Sequence, residues 1–506
     1  MPVRLLAVTA ILVVRLVALD ADPPPWLSWS TGLYTDEGFY TLDARHEALF
    51  GTWAPGNFHD RLLSPLLSVL QQGVFGVLGA GMVPARLLSV VFGLLTVWVF
   101  WLGLRRTQGR VVADWGALFL GLALPFALYN RLALQETPTV FWLVLSFTLW
   151  ACGRISEKVR KRTLLLTLAG AAFGIAVTFK ALALLALPAF VWAWWGAAPT
   201  RLAGGSSPAS QERAVGGWRE CAGVGGVLVL YALLWYLPHH AELARMGTYY
   251  RTHQYQPHSW LTVWLNIRRG FVGGARGVFP YLLALLPIPC LLAGWGGGRC
   301  LTPPELGAGG RSSPPASGPG GAERIFTIWL LCGLAFCLLS TYAPDRYYVL
   351  FLPALAGLAA RGMTRLRRPL QIAAIALFLV TSGFWYSRAW AERTYARRDA
   401  ARTLAHLLPP GSVMVGNDAP GLCQDTAIAA APVQPGLSND DHPVERLNAG
   451  FIAVTRVPMW EAWWRSHYPA LVQPSHRLAT FTQGGPRHRL VDVYRVKMYL
   501  NTSKRE

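Results

Sequence analysis

Residues 163–197 carry a single charged side chain, Lys180. A helix needs about 20 apolar residues to cross the bilayer core, so this run is too long for one crossing. Lys180 marks a tight turn between two. In hydrocarbon every backbone polar group must be satisfied internally, which makes helices the expected form of the whole apolar part. The same length test selects 3–20, 84–104, 111–129, 138–153, 163–179, 181–197, 220–238, 278–295, 325–341, 347–361 and 369–388. That predicts a polytopic α-helical membrane protein of about eleven spans. Composition agrees: hydrophobic residues make up 53% and charged residues 14%, against about 25% charged in ordinary soluble proteins.

The net charge of +20 has a matching distribution. With the N-terminus in the cytoplasm, the inward segments are "RRTQGR" (105–110), "GRISEKVRKR" (153–162), 198–219, 295–324 and "RGMTRLRRP" (361–369). All five are rich in Lys and Arg, which is the positive-inside bias. No basic helix with interleaved aromatics appears, so nucleic acid is not the expected partner. Two inward segments, "TRLAGGSSPASQERAVGGW" and "GGGRCLTPPELGAGGRSSPPASGPGGAER", are Gly/Ser/Pro-rich linkers, expected to be mobile and not catalytic. The first apolar segment reads as an uncleaved anchor, with Arg15 snorkelling to the headgroups. The seven Cys form no C-x-x-C and fall mostly in or beside apolar runs, so no disulfide framework or zinc finger is implied.

Composition changes near Ala389. "GSVMVG", "FIAVTRV" and "HRLVDVYRV" read as strands, "HPVERLNAG" and "MWEAWWRSHYP" as short helices. This predicts two domains: 1–388 in the membrane and 389–506, a small α/β domain that lies outside for an odd span count. In it, "GLSNDDHP" reads as a capping turn more than as a metal site.

Charge is concentrated in the first outer loop, about 21–83. "DEGFYTLDARHEALF" has helical spacing and suits a helix in the interface plane, with Asp43 and Glu47 on its polar face. Asp36 and Glu37 stand at its N-terminus, where a carboxylate can cap the helix or act on a substrate. Asp60 and Arg61 precede a second interface-length helix, as a local ion pair or as a site for phosphate. "MGTYYRTHQYQPHSW" (246–260), with Tyr250 and His253, suits sugar stacking or an aromatic belt. Lys180 is a turn residue or a phosphate contact.

The acidic pair, the short helix ending in Gly-x-Trp, the Phe-x-Asp-Arg element and "ARLLSVVFGLLTVWVFWLG" resemble the GT-C fold glycosyltransferases. More narrowly, they are similar to the protein O-mannosyltransferases, the lipid A aminoarabinose transferases and their bacterial relatives. The likeness covers roughly 30–200 and continues through "TYAPDRYYVLFLPALAGLAA" (341–360). It implies an inner-membrane enzyme that moves a hexosyl or pentosyl group from a polyprenyl-phosphate carrier to an acceptor hydroxyl of a glycan, lipid or protein on the outer face, with inversion. Asp36 then matches the catalytic acid and Glu37 its neighbour. Arg61 and Arg346 match basic sites at the carrier phosphate, and Glu136 an acidic site beginning the fourth span. With Lys180 as a further phosphate contact and Asp60, Tyr347, Tyr250 and His253 as substrate contacts, these are the expected site residues. No cofactor is expected; Asp36, Glu37, Asp60 and Glu136 are the carboxylates that could gather around a divalent ion.

The chemistry is self-consistent. A sugar hydroxyl needs a base, and a positioned carboxylate contributes about 10²–10⁴-fold. A leaving lipid phosphate needs fixed cations. A flippase or transporter is the alternative class. It calls for midplane charges and paired repeats, whereas here the charges concentrate in outer loops.

Overall fold

The computed structural model describes residues 2–24, 26–27, 36–56, 58–196, 217–253, 259–267, 320–340, 344–482 and 490–496. The expected span 278–295 and nearly all of both inward linkers lie outside these residues. Among the described residues, five helices are long and apolar enough to cross a bilayer: Met82–Gln108, Val159–Phe179, Trp218–Tyr236, Gly321–Leu339 and Arg368–Leu407. The chain starts with α1 (Pro2–Leu16). The segment expected to lie outside holds α2 (Asp36–Phe39), α3 (Leu42–Phe50), α4 (Asp60–Leu63) and α5 (Pro65–Leu78). Then come α6 (Met82–Gln108), α7 (Arg110–Leu122), α8 (Leu124–Tyr129), α9 (Glu136–Arg154) and α10 (Val159–Phe179).

The expected span 111–129 is two helices, α7 and α8, and the break has a chemical cause. Pro125 has no N–H to give to the Gly121 carbonyl one turn earlier. That carbonyl accepts from Arg15 Nη1 at 2.8 Å instead. Arg15 therefore does not snorkel: it is fully buried and also donates to the Ile11 carbonyl at 3.0 Å. Lys180 does end α10, in extended backbone (φ −158, ψ 121). Close helix contacts come from glycine. A Cβ on Gly170 would stand 1.9 Å from the Glu220 carbonyl oxygen, and one on Gly223 2.1 Å from that of Thr167. Thus α10 and the helix Trp218–Tyr231 touch backbone to backbone.

The C-terminal part is built on a five-stranded sheet in the order β2-β1-β3-β5-β4. The strands are β1 (Val413–Val415), β2 (Ala429–Ala431), β3 (Phe451–Thr455), β4 (Arg477–Thr482) and β5 (Leu490–Arg495). β1 runs parallel to β2 and β3, and β5 antiparallel to β3 and β4. β3 is buried along its length because both faces are covered. Phe451 and Ala453 point into one cluster with Leu404 and Met414, while Ile452 and Val454 point into another with Trp464. The two-residue period of a strand dictates that split. In "GLSNDDHP", Asp440 accepts the Gly436 N–H at 2.7 Å and Asn439 and His442 adopt positive φ, as a turn requires.

α3 packs against the C-terminal sheet. Leu42 is fully buried in the sheet cluster with Leu404 and Met414. Arg45 donates to the carbonyls of Thr426 and Ile428, each at 2.7 Å, and His46 Nε2 accepts the Ala430 N–H at 3.0 Å. Ala430 lies on β2, the sheet's edge, so α3 closes that edge. Truncating a buried leucine costs about 2–5 kcal/mol. Leu42→Ala is therefore expected to lower the melting temperature and speed proteolysis of the C-terminal part, whereas Leu49→Ala, at a 40% exposed position on the same helix, is expected to change stability by no more than about 0.5 kcal/mol. Equal effects of the two in a thermal melt would contradict this packing.

Candidate active site

Four chain segments that end or begin at one level bring their polar side chains together. α2 supplies Asp36, the first turn of α9 Glu136, the end of α10 Lys180, and the 3-10 turn Asp345–Phe351 Arg346 and Tyr347. Glu136 is fully buried, at a helix N-terminus whose dipole favours a carboxylate. One of its oxygens, Oε1, takes both Lys180 Nζ at 2.6 Å and Arg346 Nε at 2.9 Å. Arg346 Nη1 in turn pairs with Asp36 Oδ2. Tyr347 lies beside both cations, its ring 4.7 Å from Lys180 Nζ and 5.7 Å from the Arg346 guanidinium carbon. Asp36, Glu136, Lys180, Arg346 and Tyr347, expected from the sequence, thus share one site.

Asp36 is the first residue of α2 and its carboxylate points to Arg346, so its partner is a cation and not its own helix end. Burial pushes its carboxyl above the ordinary carboxylate range, and Arg346 only partly opposes that. A raised pKa makes the carboxylate a better proton acceptor. The Asp36 turn is also fixed from beneath. A Cβ on Gly38 would come within 2.4 Å of the Gly421 backbone nitrogen, so the α2 backbone rests on the helix Ala419–Leu422.

Glu37, expected to assist Asp36, is committed elsewhere. Arg86 grips it with Nε–Oε1 at 2.8 Å and Nη2–Oε2 at 2.5 Å. Arg397 Nη1 adds a contact at 3.3 Å and the Ala133 N–H one at 2.9 Å. Burial works against its charge, yet Arg86 and Arg397 hold the carboxyl below the usual range. With its oxygens filled, Glu37 is a brace: it ties α2 to α6 and to the helix Ala396–Leu407.

Asp60 is likewise structural. Its Oδ2 accepts from the N–H groups of Asp43 (2.8 Å) and Ala44 (3.3 Å), the first turn of α3. Asp43 Oδ2 accepts the Arg61 N–H at 3.2 Å, in the first turn of α4. Each carboxylate caps the other's helix. Burial, then the nearby Asp43, pushes the Asp60 carboxyl well up. Of the four carboxylates considered for a divalent ion, two are thus occupied by protein donors away from Asp36 and Glu136.

Arg61 stands apart from the Asp36 pair. Its guanidinium lies on the Trp53 ring, 3.3 Å from the centroid, with Trp235 at 5.7 Å. It lines a cavity of about 290 Å³ together with Phe58, His239, Glu242 and Arg245. Between this cavity and the Asp36 cluster is His59. It stacks on Phe39 at 5.1 Å, and Tyr250 Oη meets its Nε2 at 2.9 Å. Burial, with Arg346 and Lys180 adding, lowers the His59 pKa to about 3, so its ring is neutral at pH 7. Tyr250 reaches the site through this histidine. His253 does not: it is exposed and stacks on Tyr249 at 4.4 Å.

The sequence does not single out Arg86, Arg397 or His59. Arg86 had a signal, a charge opening an apolar helix, but its partner Glu37 is 49 positions away. If Asp36 is the base, kcat/KM should fall as pH drops through a value above the ordinary aspartate pKa of about 3.9, because the protonated form cannot accept a proton. Asp36→Asn should flatten that acid limb, and a limb unchanged in the variant would assign it to another group.

A family model described as dolichyl-phosphate-mannose-protein mannosyltransferase matches residues 63–203. No curated protein sequence matches the chain. The crystal structure of ArnT from Cupriavidus metallidurans bound to undecaprenyl phosphate superposes with a TM-score of 0.61 at 16% identity, covering 97% of both chains. Its apo state gives 0.59 with the same identity and coverage. The Archaeoglobus fulgidus oligosaccharyltransferase tethered to an acceptor peptide reaches 0.48 at 12% identity, covering 89% of this chain and 68% of the other. At end-to-end coverage, this chain has the fold of the ArnT structure, and that is the membrane fold expected from the sequence.

Proposed function

We propose that this chain is an integral-membrane glycosyltransferase that takes a sugar from a polyprenyl-phosphate carrier and passes it, with inversion, to an acceptor hydroxyl on the outer face. The observation that carries this reading is the quartet, with Glu136 and Arg346 buried and Asp36 and Lys180 partly so, in which Asp36 and Glu136 share Arg346, and Glu136 also holds Lys180. The mannosyltransferase family model and the undecaprenyl phosphate held by the ArnT relative support the carrier class. The proposed topology has about eleven spans in the inner membrane, N-terminus inside and C-terminal domain outside. The spacing of basic loops supports it.

In the proposed reaction the carrier phosphate competes with Asp36 for Arg346. Arg346 and Lys180 meet it from the inner cluster, and Arg61 from the neighbouring cavity. The negative charge they gain is charge that Asp36 no longer shares, so the carboxylate is released as carrier binds. Asp36 then accepts the acceptor's hydroxyl proton while that oxygen attacks the anomeric carbon. The bond from that carbon to the phosphate oxygen breaks, and its electron pair leaves with the polyprenyl phosphate. Glu136 stays buried and orients both cations, so they need not reorganise as charge develops. Two fixed cations at the phosphate supply the charge stabilisation a divalent ion would give. The proposal therefore includes metal independence: transfer should be unchanged in excess EDTA, and loss of activity restored by Mg²⁺ or Mn²⁺ would refute that part.

The direct test uses purified protein with labelled polyprenyl-phosphate hexoses and pentoses. Asp36→Asn should fold and bind carrier while transfer falls at least about 100-fold. Full transfer by that variant would remove Asp36 from the mechanism, and carrier crossing liposomes in both directions without transfer would instead indicate a flippase.

A further inference from the structure

A second cavity, of about 400 Å³, lies between the outer part of α1 and the helix Arg368–Ala391. Its walls include Val13, Val17, Leu128, Leu132 and Tyr386. Its charged members are Asp22, Arg86, Arg131 and Arg393. Two of these are already engaged. Asp22 accepts the Thr394 hydroxyl at 2.8 Å and the Ala396 N–H at 2.6 Å, and Arg86 holds Glu37. The other two form no ion pair among the described residues. Arg131 donates to the carbonyls of Val14 and Ala18, and Arg393 to that of Trp390 at 2.7 Å, with its guanidinium 4.0 Å from the Trp390 ring centroid.

Arg15, on α1 but not among the lining residues, is a further cation without an ion pair among the described residues. It is fully buried, donates only to carbonyls, and its Nε and Nη2 have no partner among the described residues. Asp20, the nearby acid, pairs with Arg398 at 2.7 Å. The cavity therefore combines an apolar wall with two guanidinium groups, Arg131 and Arg393, that form no ion pair among the described residues, against one lining carboxylate, Asp22, held by neutral donors. That is the pattern for an amphiphile with an anionic head: guanidinium forks match phosphate oxygens, and a buried chain gains from every methylene removed from water.

We propose that this cavity holds an anionic phospholipid of the surrounding bilayer, its phosphodiester at Arg131 and Arg393 and an acyl chain along Val13, Val17 and Tyr386. The occupant is a bilayer lipid and not the sugar carrier, because the cavity lies on the Arg86 side of Glu37 whereas Asp36 faces Arg346 on the other. Arg86 lines the cavity and braces the α2 turn, so an occupied cavity steadies the turn that carries Asp36. The site is independent of the reaction proposed above and stands if that reaction fails.

The test uses full-length protein, delipidated in neutral detergent, with thermal melts and native mass spectrometry. Dioleoylphosphatidylglycerol should raise Tm by at least about 2 °C and remain as one adduct per chain. Arg131→Gln also removes bonds to α1, so Arg393→Gln, at an exposed position, carries the test; it should weaken phosphatidylglycerol binding about tenfold. The proposal is overturned if dioleoylphosphatidylcholine stabilises equally, if inorganic phosphate alone reproduces the shift, if undecaprenyl phosphate displaces the adduct, or if Arg393→Gln binds phosphatidylglycerol as wild type does.

Discussion

Two cations and two carboxylates in one water-poor space form the constraint on which the rest of this structure depends. Glu136 is buried outright, and a buried charge that loses its partner costs several kcal/mol, about 3–5 in measured cases. Lys180 and Arg346 meet that requirement at a single oxygen. Arg346 then reaches Asp36, which sits on a different segment altogether. The arrangement forces the ends of α9 and α10, the Asp345–Phe351 turn and α2 to one point. A buried ion set of this kind adds little to stability over an apolar core. In the proposed reaction its use is to hold a cationic pair in place before any phosphate arrives.

Around that centre the loop at about 21–83 acts as a clasp. Glu37 binds Arg86 and Arg397, Asp60 and Asp43 cap each other's helices, and α3 closes the β2 edge. The membrane helices, the loop and the C-terminal sheet are linked through short polar contacts on either side of Asp36. The C-terminal part is therefore a structural support of the α2 turn, through the approach of Gly38 to Gly421 on the helix Ala419–Leu422.

Much of this was legible in the sequence, and the rest failed for identifiable reasons. Apolar run length and basic loops give the membrane class directly, because bilayer thickness is a local requirement on sequence. Lys180 was readable as a break because it is the one charge in a long apolar run. The strands of β1, β3 and β5 follow their β-branched, alternating residues, whereas β2 is Ala-Ala-Ala and has no strand signal. The acid and base residues could be named, but not sorted. Asp36 and Glu37 are neighbours of one chemical type, and only partners 310 and 49 positions away separate the ion-paired candidate base from the brace. For Arg15 the sequence suggests snorkelling, because nothing local shows that Pro125, far along the chain, leaves the Gly121 carbonyl open to it.

The proposed mechanism turns on carrier phosphate taking Arg346 from Asp36. The most direct measurement is a cryo-electron microscopy structure of the purified protein with undecaprenyl phosphate bound. Phosphate density is expected within hydrogen-bond distance of Arg346, Lys180 or Arg61, with the Asp36 carboxylate separated from Arg346 and open to solvent or acceptor. Phosphate bound away from all three cations, with the Asp36–Arg346 pair intact, would contradict it.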